Sequence, residues 1–197
     1  AILLHNNGHC VTMWTFFKEE CERLQKERAN EKLLPGVKIP EGIEITNDMA
    51  GAAAADLVVM AVPSFAVAST AESLAAVLPE GVPVINVGKC LDAKHGYCRF
   101  SETIDRAMGG KNPIVALTGP THAEEVSRSI PTAIVAASAS RQAAELTQDV
   151  FMSDVFRVYT SPDIIGAELG GAFKNIIALG AGISDGLGLG DNSKAAF

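Results

Sequence analysis

Basic residues are in short supply: 16 Lys+Arg stand against 23 Asp+Glu, a net charge of −7, and no run of lysine or arginine occurs. That shortage excludes nucleic acid or an anionic membrane surface as the main partner, so an anionic ligand needs a local site. Cysteine is sparse too. Cys10, Cys21, Cys90 and Cys98 form no CxxC pair, which argues against a disulfide scaffold and fits a reducing cytoplasm. No apolar run reaches the ~18 residues of a membrane span. The N-terminus lacks the charged-then-apolar-then-small order of a secretory signal, so no membrane span and a cytoplasmic location are expected. His5-x3-His9-Cys10 has no second ligand pair, and no metal is expected. Aromatics are few at 6%, but 48% apolar and 20% charged residues describe a globular chain, not a disordered one. A G-x-G-x-x-G turn is missing as well.

What is present is a recurring pattern. Short Val- and Ile-rich runs at Cys10–Trp14, Ile43–Thr46, Asp56–Val62, Val82–Val87, Pro113–Thr118, Thr132–Ala136 and Val155–Thr160 read as strands. Between most of them lie stretches suited to helices: Phe17–Ala29, Phe65–Leu78, Ser101–Met108, Thr121–Ser129 and Arg141–Met152. Leu57–Val62 does not alternate in polarity, as expected of a strand covered on both faces. The predicted fold is α/β, a doubly wound, mostly parallel sheet.

The pattern changes at Pro162. Asp163–Ser184 carries apolar residues around nearly its whole circumference and predicts a long helix buried on most sides. It is read as the first helix of a truncated all-α domain, giving domains 1–161 and 162–197. Gly186–Gly190 reads as a loop before a new start at Asp191–Ser193. Ala1–Asn7 reads as the last turns of a helix closed by Gly8. No strand or glycine-rich turn precedes it, so the chain is expected to be cut at both ends.

Lys89 follows Val84–Gly88 at the carboxyl end of a predicted strand, where ligands of open α/β sheets bind. A solvated loop lysine is the alternative. Lys174 sits within the apolar helix and either snorkels to water or faces a cleft. Two amines sharing one cleft would lower each other's pKa, and one could accept a proton near neutrality. Gly119–Pro120–Thr121–His122–Ala123–Glu124–Glu125 marks a strand-to-helix turn whose free N–H groups suit an anion or carbonyl oxygen; a plain turn is the competing reading. His122 is a catalytic candidate or a surface histidine. Phe16, after the first visible strand, can stack on an adenine or simply pack, and no acid stands there for a ribose.

These residues resemble the NAD(P)-dependent glycerol-3-phosphate dehydrogenases, bacterial type, almost without a break from Asn7 to Phe197. The resemblance is carried by Asn7–Gly8–His9 with Val11–Trp14, Leu34–Pro35–Gly36, Val62–Pro63–Ser64, Lys89 and Gly119–Glu125. It is carried above all by Glu168–Leu169–Gly170–Gly171–Ala172–Phe173–Lys174–Asn175 with Asp185–Asn192. It implies a Rossmann-like fold, NAD or NADP as cofactor, and hydride transfer between the nicotinamide and dihydroxyacetone phosphate or glycerol 3-phosphate. The product supplies phospholipid synthesis. It also implies that Lys174 is the proton acceptor and that Lys89 binds cofactor and substrate. Gly119, Thr121 and Asn175 are then substrate contacts, and Phe16, Pro63 and Ala123 cofactor contacts.

The chain departs from the family where Thr-Lys-Gly-Leu becomes Gly88–Lys89–Cys90–Leu91, losing a glycine that allows φ > 0. Phe65 replaces a frequent histidine, and Phe16 a frequent basic residue, so the choice between NAD and NADP stays open. With the glycine-rich turn and a downstream Gly-Arg-Asn absent, the chain as given is expected to have little or no dehydrogenase activity. The expected partner is the small-molecule substrate, with a homodimer as the assembly to test. Two rivals remain: a two-domain hydroxyacid or 6-phosphogluconate-type dehydrogenase, and a non-catalytic assembly module docking through its apolar helix.

Overall fold

The computed structural model describes residues 1–196. Helix α1 (Ile2–Asn6) ends at Gly8, whose φ of +91° is the left-handed turn its lack of a Cβ permits. Then come β1 (Thr12–Trp14), α2 (Lys18–Glu27) and β2 (Glu44–Thr46). These two strands pair in parallel as a separate two-stranded sheet, with Cys21 and Leu24 of α2 packed on Ile45.

The chain continues through β3 (Val58–Met60), α3 (Val67–Ala75), β4 (Val84–Asn86), a separate two-stranded hairpin of β5 (Leu91–Asp92) and β6 (Cys98–Arg99), α4 (Phe100–Met108), β7 (Ile114–Thr118), α5 (Ala123–Ser127), β8 (Thr132–Ala137), α6 (Arg141–Phe151) and β9 (Phe156–Ser161), and the larger sheet takes five of these strands. Its strand order is β3-β4-β7-β8-β9, and every pair is parallel except β7 with β8. The expected doubly wound layering follows from alternation along the strands. Val84 and Ile114 join α3 and α4 in one core through Val67, Leu74, Phe100 and Ile104. Their neighbours Ile85 and Val115 point the other way, to a second core with Ile134, Phe151 and Val158.

The expected mostly parallel α/β layering is present, and among the described residues the strands pair as one five-stranded sheet and two two-stranded ones. The β5–β6 hairpin also escaped the sequence pattern, because two-residue strands carry no periodicity.

Helix α7 (Ile164–Gly186) starts where Asp163 accepts a bond from the Gly166 amide at 2.8 Å, a side-chain cap that explains the boundary after Pro162. A shorter α8 (Asp191–Ala195) follows. The 23 residues of α7 include an 18-residue stretch with mean hydropathy 1.3, long and apolar enough by length and composition alone to cross a membrane, although Glu168 and Lys174 interrupt its apolar run. The burial expected of α7 on most sides fails. Only Glu168 and Ser184 are buried, and Ile176 and Leu179 are 67% and 66% exposed. The helix spans roughly 34 Å and lies against β6, β7 and β8.

Candidate active site at the strand edge

Because β3, β4 and β7 run in parallel, the residues after them gather at one edge of the sheet. Pro63 follows β3, Lys89 follows β4, and Gly119 with Thr121 follows β7. Strand β9 runs against β7, so α7 begins from the opposite edge and climbs back along β7. It arrives at the carboxyl end of that strand at Gly171. A Cβ there would sit 2.7 Å from Thr118 Oγ1, which would have to shift, and at an ordinary contact distance of 3.8 Å from Lys89 Cγ.

The half-buried Lys89 donates from Nζ to Thr121 Oγ1 at 2.8 Å, and Thr121 Oγ1 donates in turn toward the Gly119 carbonyl at 3.4 Å. Burial lowers the Lys89 pKa from its ordinary value, and the positive charge of Lys174 lowers it further. Lys174, one turn beyond Gly171, is exposed, as is Asn175. The two amines thus feel each other across the site. Among the described residues neither Lys89 nor Lys174 forms an ion pair. The Lys89 amine binds the neutral Thr121 hydroxyl, leaving its charge available to an anion or a developing alkoxide.

Helix α5 begins at Ala123 rather than at Thr121. His122 stands at its N-cap with an extended backbone (φ −73°, ψ 129°), which leaves Thr121 in the preceding turn. Ala123 and Pro63 are exposed. Gly119 is wedged against β8, where a Cβ would lie 3.0 Å from Ile134 Cα. Cys90 is exposed and does not adopt positive φ, so the loop accommodates the missing glycine without backbone strain. Phe16 lies apart from the lysines, at the end of β1 in the smaller sheet, 72% exposed, with its ring edge-on to Trp14 (6.2 Å) and to Phe17 (5.1 Å). His122 is exposed and caps α5 without a side-chain bond. His5 and His9 diverge: the first lies against Gly42, the second against the Val150 carbonyl at 3.2 Å.

A dinucleotide fits this edge in part. Phe16 presents an open ring to an adenine, and Lys89 and Ala123 border the sheet edge. Among the described residues there is no glycine-rich strand-to-helix turn to receive a pyrophosphate. Two polar groupings beside the site were not singled out from the sequence. Asp92 accepts from His95 Nδ1 (2.7 Å) and Thr103 Oγ1 (3.0 Å), and Glu168 is bound by Arg99 and Ser101. The only signal for the second was an acid at Glu168, three residues before Gly171 in an apolar helix.

The comparisons with known proteins agree with this geometry. Residues 1–144 match the profile described as NAD-dependent glycerol-3-phosphate dehydrogenase N-terminus, and 163–197 match that of its C-terminus. The chain belongs to the NAD-dependent glycerol-3-phosphate dehydrogenase family. It is 46% identical to the glycerol-3-phosphate dehydrogenase [NAD(P)+] of Fusobacterium nucleatum, all of this chain covering 59% of that protein. It is 47% identical to the same-named protein of Moorella thermoacetica, covering 58% of it. Among solved structures, the glycerol-3-phosphate dehydrogenase of Coxiella burnetii superposes with a TM-score of 0.86 at 30% identity over 99% of this chain and 59% of that one. The chain therefore spans about three fifths of the relatives it matches. A UDP-D-ManNAc dehydrogenase from Pyrococcus horikoshii shares the fold alone, at a TM-score of 0.74 and 15% identity.

Proposed function

We propose that residues 1–161 are the cofactor-binding domain, and 162–197 the opening of the substrate domain, of an NAD(P)-dependent glycerol-3-phosphate dehydrogenase acting in the cytoplasm. The observation that carries this reading is the Lys89–Thr121 bond at the strand edge, beside Gly171 and within the field of Lys174. NAD or NADP, when bound, supplies or accepts the hydride. This chain's own residues handle the proton and the charge. Lys174 takes the hydroxyl proton of glycerol 3-phosphate as the carbon gives up its hydride. Lys89, steered by Thr121, stabilises the developing alkoxide, and Gly119 and Asn175 border the substrate. In the reverse direction the same amine returns the proton to the carbonyl oxygen of dihydroxyacetone phosphate. Phe16, Pro63, Lys89 and Ala123 flank the cofactor.

The test has two arms. The 197-residue chain alone should oxidise NADH with dihydroxyacetone phosphate at a negligible rate, because it lacks a pyrophosphate turn. Turnover near that of the Fusobacterium relative would refute that part. A chimera in which these residues replace their counterparts in that relative should turn over, and Lys174→Met should slow it by about 10²–10⁴-fold, the usual contribution of a general acid or base. A Lys174→Met chimera as fast as its parent would sink the assignment.

The exposed apolar side chains on the later turns of α7 support a second reading, assembly through this helix, with a homodimer as its simplest form. Sedimentation separates the two: a monomer at all concentrations rules assembly out.

A further inference from the structure

Helix α7 is held to the sheet domain by a single buried charge. Glu168 is 9% exposed on a helix that is otherwise mostly open to water. Its carboxylate accepts from the Ser101 amide at 2.9 Å, from Ser101 Oγ, and from Arg99 Nη1 at 2.9 Å. Those groups form the first turn of α4, where free N–H groups and the helix dipole favour an anion. The receiving end is rigid. Glu102 closes a capping box on the Arg99 amide at 2.8 Å and pairs with its guanidinium at 2.9 Å. Phe100, Ile104 and Met108 bury α4 in the core below, at 1%, 0% and 4% exposure.

One turn after Glu168 comes Gly171, pressed against Thr118 and the stem of Lys89, and one turn after that comes Lys174. We propose that Glu168 is a positioning residue: by docking on the amino end of α4 it sets how far α7 advances along β7, and thereby how closely Lys174 approaches Lys89. This rests on the two-lysine reading above. Charge-assisted bonds to a backbone amide and a guanidinium hold in one register only, and the Gly171 approach to Thr118 is a second mark of the same register.

Trace acylation of lysines in the 197-residue chain, followed against pH by peptide mass spectrometry, tests it without requiring turnover. Lys174→Met should slow acylation of Lys89 at mildly alkaline pH by about threefold, because a repelling charge has gone. Glu168→Gln, nearly isosteric, should slow Lys89 comparably, and adding Lys174→Met to it should change little more. The sign is informative, because merely deleting a nearby carboxylate charge would quicken Lys89 instead. Ser101→Ala, which removes one donor and keeps the carboxylate, should act in the same direction more weakly. It carries the test if Glu168→Gln fails to fold by circular dichroism.

Glu168→Gln that leaves Lys89 unchanged or faster, with the Lys174→Met effect intact, overturns the proposal and leaves the two-lysine reading standing. If Lys174→Met itself does not move Lys89 in the parent chain, the two-lysine reading falls, and the proposal with it.

Discussion

The two halves of α7 are made of similar residues and meet opposite fates. From Ile164 to Lys174 the helix lies along β7 with Glu168 buried and Gly171 in near contact with Thr118. From Ile176 to Gly186 it carries Ile176, Ile177, Leu179 and Ile183, all at least 46% exposed. The later half is the more hydrophobic, yet Ser184 is its one buried residue. Apolar composition supplies a tendency to be covered; what docks the earlier half on the sheet domain is a carboxylate with matched donors, beside a glycine whose missing side chain leaves room for Thr118.

The contrast between packed and bare regions breaks first at the core. Ile85→Ala, at a fully buried position of β4, should destabilise by about 2–5 kcal/mol in urea unfolding. A loss as small as a surface change would mean that the sheet core is not the stability centre.

Next comes the polar packing beside the site. Asp92→Asn should cost about 1–3 kcal/mol, since a buried acceptor of bonds from His95 and Thr103 is compromised. Burial acts to raise the Asp92 pKa, but those bonds and the His95 charge outweigh it and hold the carboxyl below its ordinary range. A depressed carboxylate stabilises the fold above its unfolded pKa, and this is lost as pH falls through the folded one. The parent's acid destabilisation should therefore be shallower in Asp92→Asn, as pH-dependent melting would show. Identical acid limbs would remove Asp92 from that role.

Adjacent glycines in α7 sharpen the comparison. Gly170 faces open space, whereas a Cβ on Gly171 meets Thr118. Gly170→Ala should gain about 0.5–1 kcal/mol from helix propensity, and Gly171→Ala should lose about 1 kcal/mol from overpacking. Equal gains at both would show that α7 is not seated on β7. The smallest effect belongs to the bare half: Leu179→Ala should stay within about 0.5 kcal/mol in this chain. A larger loss in equilibrium unfolding would mean that this face is covered in solution.

Much of this was legible in the residues. The β-α alternation, the boundary near Pro162, the role of Gly8 and the grouping of Lys89, Gly119 and Thr121 at one sheet edge follow from periodicity, turn chemistry and strand direction. The two-residue strands around Asp92 did not, being too short for a period.

By itself the sequence determined the layer architecture, the family and the chemical types at the site, because those depend on patterns within a dozen or so neighbouring residues. Only the tertiary structure decided how α7 lies against β7 and that Glu168 meets Arg99 and Ser101. Those are outcomes of distances between segments remote in the chain, and no local propensity encodes a distance.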